Sequence, residues 1–471
     1  MMRGKTGGTR SDGGSGTIRE RIREHPPYCR TPVASSVLAA LLVAGGSAWA
    51  QEQATLPLPI ENPPVLNLSL AEAVGAALDK SPNIRLFRER IEAARAVSRT
   101  QLGAMLPHVT TTGKYNTQTF FLGTIGGAPV RTDPFEIVDG RAAFTQSIFS
   151  LSLIERWRAS RSALQVAMLD AAATENDTVA KVALGYFEVL RNQETLAARS
   201  TNVTLYEELV AFIKSRQAGG MATGLDVARL ETQLQNERQR LELAKGETER
   251  AKFALLNAIG IGYDVSLRLT DELKVFEGLI PSLEHAMESA RANRPELKAQ
   301  MQRIRTAELN VRSVKGERLP SMSAEGNYGL IGNKFDNNTG TYNVGVQLSI
   351  PIFDGGQREG RIGQGVSEFN QEQYKLALVK NQIGMELREA LVTLKTSIEQ
   401  ERIAEAGLKA SLTELSLARE RIRTLSSNTL ELSNALSSIV RARDNMIDAL
   451  FRVNASRVNL ARAQGQVEML K

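Results

Sequence analysis

The chain of 471 residues is 42% hydrophobic, 23% charged and 5% aromatic, and its formal net charge is +6. Residues 1–50 hold seven Lys/Arg and three Asp/Glu, which leaves 51 basic against 49 acidic residues beyond them and excludes a nucleic-acid footprint. The single cysteine, Cys29, also lies in that stretch, so the remainder has neither a disulfide framework nor a thiolate metal site.

Taken in order, the chain opens on a basic stretch (Arg19, Arg21, Arg23, Arg30), an apolar run from Val33 to Gly45, and Ala48-Trp49-Ala50. This pattern predicts a secretory signal peptide over 1–50 with cleavage after Ala50. No later segment has eighteen consecutive apolar residues, so a membrane location must come from strands. A Pro-rich leader (Leu56 to Pro64) precedes a helical pattern that runs from Leu70 to about Leu102.

The sequence from Ser69 returns at a constant offset. Ser69, Leu70 and Ala73 match Ser282, Leu283 and Ala286, and Pro82 matches Pro295. Leu106-Pro107 matches Leu319-Pro320, and Gly113 and Tyr115 match Gly326 and Tyr328. One register across two prolines, a Leu-Pro pair and a Gly-x-Tyr predicts an internal duplication. Each Leu-Pro closes a helix, because proline denies its predecessor the α region.

A strand pair follows in each copy, over about 107–149 and about 320–353. Gly-rich stretches (Gly123 to Pro134; Gly332 to Gly340) read as the turns between them. The clearest strand has Tyr342, Val344, Val346, Leu348, Ile350 and Ile352 alternating with small or polar residues. That is period 2 over eleven residues, the length of a tilted membrane-crossing strand.

Very long helices come next. The first runs from about Leu151 to Gln217 with Val179, Val182, Tyr186 and Leu190 on one stripe, and the second fills most of the stretch up to Thr424 with Ile383, Leu387, Leu394 and Ile398. Each spans roughly 100 Å at about 1.5 Å per residue. The first breaks at Ala218-Gly219-Gly220-Met221-Ala222-Thr223-Gly224 and the second at Leu425 to Thr429, and each is followed by a shorter helix. The predicted division is therefore a first repeat over 51–260 with its helical hairpin at about 150–260. A linker spans 261–281, and a second repeat spans 282–471 with its hairpin at about 354–465.

Four strands per chain cannot close a barrel, and open strand edges are not tolerated in lipid. The chain must oligomerise: a dimer gives eight strands and a trimer twelve, and the strand pattern leaves that choice open.

The duplicated plan, the Leu-Pro pairs, Ser349-Ile350-Pro351-Ile352-Phe353-Asp354-Gly355-Gly356 and Gly219-Gly220-Met221-Ala222-Thr223-Gly224-Leu225-Asp226-Val227 resemble the TolC-like outer membrane efflux proteins over essentially the whole mature chain. The resemblance implies a mainly α fold with membrane β: a homotrimer with a twelve-stranded barrel in the outer membrane and an α-helical barrel of coiled-coil helices in the periplasm. It implies a passive exit duct that docks on a periplasmic adaptor and an inner-membrane pump. Carried onto this sequence, Gly220, Met221, Ala222 and Thr223, with Ser427, Asn428 and Thr429, are the adaptor-contacting turns. Asp226 and Glu431 stand where the family has acidic residues near the closed entrance. A further acidic position is Asn434 here, which thins the acidic ring. Phe149, Pro351, Phe353, Asp354, Gly355 and Gly356 mark the strand-to-helix junctions.

Plainer roles stand beside these. Asp226 in a first helical turn complements the macrodipole, and Arg216, Arg421 and Arg423 near helix C-termini do the same. His108 and His285 are far apart, and no HExxH, serine elbow or dinucleotide fingerprint is present, so neither enzyme nor cofactor is expected. The rival is an exported coiled-coil rod or adhesin without a pore, which leaves the strand pairs unexplained. An adaptor fits less well, having one hairpin rather than two.

Overall fold

The computed structural model describes residues 64–275, 280–424 and 429–467. The expected signal peptide lies outside the described residues, as do Ser427 and Asn428. The first half runs β1 (Val65–Leu68), α1 (Leu70–Lys80), α2 (Pro82–Gly103), β2 (His108–Gln118), β3 (Phe121–Ile125), β4 (Ala128–Arg131), β5 (Phe135–Phe149), α3 (Leu151–Ala218) and α4 (Gly224–Ile259). The second half runs β6 (Ser266–Leu269), α5 (Leu283–Asn293), α6 (Pro295–Gly316), β7 (Ser321–Lys334), β8 (Asn337–Ser349), α7 (Gln357–Arg423) and α8 (Thr429–Gln464).

Ser69 and Ser282, the first matched pair, are both N-caps: their hydroxyls accept from the amides of Glu72 (3.3 Å) and His285 (3.2 Å). The helix expected to reach Leu102 is in fact two helices, α1 and α2, and α5 and α6 divide in the same way. Pro82 and Pro295 force the break. Each sits at the first position of the next helix, where its missing N–H costs nothing, and pushes its predecessor out of the α region.

The two breaks are interlocked with the far ends of the hairpins. Gly260, with φ +85°, ends α4, and a Cβ there would lie 2.7 Å from the Lys80 carbonyl oxygen. Gly465, with φ +72°, follows α8, and its Cβ would lie 3.0 Å from the Arg294 amide nitrogen. Both close approaches require glycine twice over, for the left-handed backbone and for the missing side chain.

The central sheet has the order β2-β5-β7-β8, antiparallel throughout. The β5–β7 pair joins the two halves, and the outer edges of β2 and β8 have no strand partner among the described residues. Three expectations change here. The stretch from Gly123 to Pro134 is not a plain turn, because most of it forms the β3–β4 hairpin, and of Gly332 to Gly340 only Phe335 and Asp336 lie outside β7 and β8. The strand whose alternation runs from Tyr342 to Ile352 is β8, displaced to Asn337–Ser349, since Pro351 has no N–H for a ladder. The linker contains β6, paired in parallel with β1 from Val65 with Ser266 to Leu68 with Leu269.

Three apolar clusters hold the helices. One packs Val179 to Leu190 of α3 on α1, Leu255 to Ile259 of α4, and Leu267 of β6. Within it the Tyr186 hydroxyl lies 2.8 Å from Asp271 Oδ2 and 3.1 Å from the Leu68 carbonyl, fastening α3 to the paired strands. Burial, with the Asp271 carboxylate beside it, pushes that phenol well above its ordinary range. A second cluster brings Val203 to Ile213, Val227 to Leu234, Leu415 to Ile422 and Leu432 to Val440 together, so both hairpins pack at their turn ends. The third seats α5 and α6 on Ile383 to Leu394 of α7 and on Leu460 and Ala463 of α8.

Polar side chains separate the first two clusters. Buried Glu237 accepts from Arg240 (2.7 Å) and lies 3.7 Å from Arg199, which pairs with Asp444 at 2.9 Å. Arg443 donates to buried Asn202 at 3.1 Å.

Candidate functional site

Residues directly opposite in an antiparallel ladder share a face, so the register sorts the sheet. One face carries Val109 and Tyr115 of β2, Val138 and Phe144 of β5, Tyr328 and Leu330 of β7, and Tyr342, Val344, Val346 and Leu348 of β8. It is exposed: Tyr342 is 79% and Val344 80% accessible. The other face carries Thr110, Thr112, Lys114, Asp139, Arg141, Glu325, Asn327, Thr341, Asn343 and Gln347. Arg141 organises it, donating to Asn327 Oδ1 (2.6 Å), Asp139 Oδ1 (3.2 Å) and Thr341 Oγ1 (3.4 Å) across three strands. An apolar outer and polar inner face is what a membrane barrel wall needs.

The strand-to-helix junctions follow the sheet directly. Phe149 ends β5 at a register shift and is half exposed, and Ser150 caps α3 by accepting from Leu153 N at 3.4 Å. At the second junction Ile352 and Phe353 are 90% and 85% exposed. Gly355 (φ +69°) and Gly356 (φ +84°) turn the chain into α7. Asp354 Oδ2 accepts from the Arg358 amide at 2.9 Å, and the Arg358 guanidinium reaches back to the carbonyls of Pro351 (3.4 Å) and Glu317 (3.3 Å). Glu317 in turn binds Arg361 at 2.7 Å.

At the opposite end lies the helical tip. Gly220 takes φ +72°, and the Met221 amide returns to the Arg216 carbonyl at 2.8 Å, closing α3. Thr223 and Asp226 form a capping box: Asp226 N donates to Thr223 Oγ1 (3.2 Å), while Asp226 Oδ2 accepts from Thr223 N (3.0 Å) and Oγ1 (2.6 Å). These bonds, the side-chain one first, hold the Asp226 carboxyl below its usual range. Met221 is exposed and Ala222 rests against the tip cluster. In the second hairpin, Glu431 pairs with Arg421 at 2.5 Å, Thr429 opens α8, and Asn434 is exposed. The ends of α3 and α7 are tied together by Arg216, whose Nη1 donates to the Ile422 carbonyl at 2.7 Å. Arg216 therefore does more than complement its own helix end.

A sequence profile for the family described as outer membrane efflux protein matches residues 73–261 and 286–466. The chain belongs to the outer membrane efflux protein family. Among related members, outer membrane efflux protein BepC of Brucella suis is 23% identical over 303 residues, covering 62% of this chain and 64% of that protein. Outer membrane protein TolC of Vibrio cholerae is 23% identical over 295 residues, 61% of this chain and 66% of that one. The aligned stretch thus spans less than two thirds of both. Outer membrane protein OprJ of Pseudomonas aeruginosa is 23% identical over 419 residues and 85% of each chain. The fold matches the crystal structure of the Campylobacter jejuni CmeC outer membrane channel with a TM-score of 0.75 at 17% identity, over 84% of this chain and 85% of that one.

For an efflux-family chain, the structure brings the expected residues together in two places about a helix length apart. Phe149 and Pro351 to Gly356 stand where strands become helices, while Gly220 to Asp226 and Thr429 to Asn434 stand at the hairpin turns. Arg141 and its polar partners were missed. Asp139 and Arg141, two apart in a run with Val138, Ala142 and Phe144, carry the alternation that could have found them.

Proposed function

We propose that three copies of the chain close a twelve-stranded barrel in the outer membrane, and that the hairpins extend it as a helical tunnel into the periplasm. The duct conducts solutes passively outward, and energy comes from an inner-membrane pump coupled through a periplasmic adaptor. The observation that carries this is the four-stranded sheet, whose two edges are unpaired among the described residues and whose outer face is apolar, running straight into 68- and 67-residue helices. An open edge in lipid leaves backbone groups unsatisfied, whereas closure by copies of the same sheet satisfies them. In this reading the turn Gly220 to Thr223 and its counterpart Ser427 to Thr429 meet the adaptor, and Asp226, Glu431 and Asn434 line the narrowed entrance.

Native mass spectrometry of the detergent-extracted protein tests the assembly. Three chains are expected; a folded monomer would return the chain to the poreless rod reading.

A further inference from the structure

The internal duplication lets one half of the chain be read against the other. Helices α1 and α2 match α5 and α6 at the offset that pairs Ser69 with Ser282, and the ends of α3 and α4 match those of α7 and α8 at a second constant offset. The α1–α3 joint therefore corresponds to the α5–α7 joint. In the first, Val74 and Leu78 of α1 pack on Val179, Val182 and Ala183 of α3, and Val74, Val182 and Ala183 are fully buried. All five are apolar, and the joint is shut.

The α5–α7 joint is open. The counterparts of those five residues are Met287, Arg291, Gly384, Leu387 and Arg388. With Leu297, Lys380, Ile383 and Met385 they line a groove of about 690 Å³. Glycine in a helix interior lowers stability. At Gly384 the missing side chain leaves room for the Arg388 guanidinium, which donates to the Gly384 carbonyl at 2.8 Å and lies 3.2 Å from where a Cβ would stand. The walls are apolar, while Arg291, Lys380 and Arg388 are exposed. Arg291 and Lys380 have no hydrogen bond or ion pair among the described residues, and no carboxylate is among the lining residues. An apolar cavity of a few hundred Å³ with a few placed polar groups has the form of a small-molecule site, and three cations set the sign of the ligand.

We propose that the α5–α7 groove binds a soluble amphipathic anion, an apolar ring system or short chain carrying a sulfonate, phosphate or carboxylate. The apolar body lies against Met287, Leu297, Met385 and Leu387, and the anionic head meets Arg291, Lys380 and Arg388. Lys380 stands roughly 35 Å along α7 from Gln357 at about 1.5 Å per residue. The duct reading puts the bilayer at the sheet, out of reach of the groove, which excludes membrane lipid as the occupant. That exclusion rests on the duct reading, whereas the groove belongs to a single chain.

Residues 51–471 contain no cysteine, so Met385→Cys places one thiol in the groove at a position 53% exposed. Met301→Cys, on α6 outside the groove and 48% exposed, is the control. Maleimide labelling of the detergent-extracted protein is timed with 8-anilinonaphthalene-1-sulfonate and with N-phenyl-1-naphthylamine, which has the same rings and no sulfonate. The sulfonate is expected to slow labelling of Met385→Cys about tenfold at saturation, because a pocket of this size covers most of its ligand, and to leave Met301→Cys unchanged. The neutral compound, and the sulfonate on Arg291→Gln/Lys380→Gln/Arg388→Gln, should need about tenfold more ligand for half protection, as loss of a charge-assisted contact predicts. Gly384→Val/Arg388→Ala, which restores the residues of the first repeat, should abolish protection. Met385→Cys that labels equally fast with and without the sulfonate overturns the site, and equal protection by both compounds overturns its preference for anions. A Met385→Cys thiol unreactive before any ligand is added, beside a reactive Met301→Cys, puts a neighbouring copy in the groove and also overturns the proposal. The same thiol is then labelled in proteoliposomes without either compound. Shielding there that detergent removes puts the bilayer at the groove, and overturns the duct reading's placement of the membrane rather than the groove.

Discussion

At the scale of single residues, Asp226 holds two roles that can be separated. As a capping-box partner it satisfies the Thr223 amide, and its loss in Asp226→Ala should cost the start of α4 about 1 kcal/mol. Its carboxyl is held below the ordinary value by bonds to Thr223, so its stabilising contribution is complete above about pH 4 and disappears as pH falls through the lowered folded value. The difference in amide-exchange protection of the tip between native protein and Asp226→Ala should therefore be flat at neutral pH and vanish only in acid. As an entrance residue Asp226 acts with Glu431. Replacing both with alanine should change single-channel conductance and ion selectivity in a planar bilayer, and unaltered values in a well-folded double variant would remove both residues from the entrance. Glu431 is bonded to Arg421 of its own hairpin, so the single Glu431→Ala change also removes that ion pair.

Among elements, the long helices were legible nearly to the residue and the short ones were not. The first rod, read as about Leu151 to Gln217, is Leu151–Ala218, because Ser150 and Gly219-Gly220 bracket it with local chemistry that needs no tertiary partner. The pairing of β6 with β1 depends on a strand some two hundred residues away, and four residues carry too little periodicity to announce it. The β3–β4 hairpin was obscured by its own Gly126-Gly127 turn and Pro129, whose composition reads as loop. Likewise, Arg216 looked like a residue complementing its own helix end because its acceptor, the Ile422 carbonyl, belongs to the other hairpin. The apolar stripes foretold the clusters but not the polar band between them. There Arg199 faces both Glu237 and Asp444 from a largely buried position. Arg199→Met leaves buried Glu237 with Arg240 as its remaining close cation and removes the 2.9 Å bond to Asp444, and should lower stability by about 1–2 kcal/mol, while Arg199→Met/Glu237→Leu should recover part of the loss. Thermal unfolding followed by circular dichroism checks this, and equal midpoints for native and Arg199→Met would show the band to be solvated in the assembly.

For the whole molecule, assembly decides which faces meet lipid, water and neighbouring copies, and one strand can test this. Val344 and Asn343 are adjacent in β8, at an open edge of the sheet, and their side chains fall on opposite faces. Val344 stands opposite Gly326 on the apolar face, and Asn343 stands opposite Asn327, which is already bonded to Arg141. An arginine on the lipid face near the bilayer midplane costs about 2–4 kcal/mol per chain, whereas on the lumen face it meets water and carboxylates. Val344→Arg should therefore reduce the trimer fraction in the outer membrane more than tenfold, since about 1.4 kcal/mol already corresponds to tenfold. Asn343→Arg should leave that fraction unchanged and alter ion selectivity instead. Trimer yield from membrane extracts, followed by conductance of the surviving trimers, measures both. The reverse pattern would mean that the faces are inverted, and the polar cluster around Arg141 would then have to be a contact between copies rather than the wall of a duct.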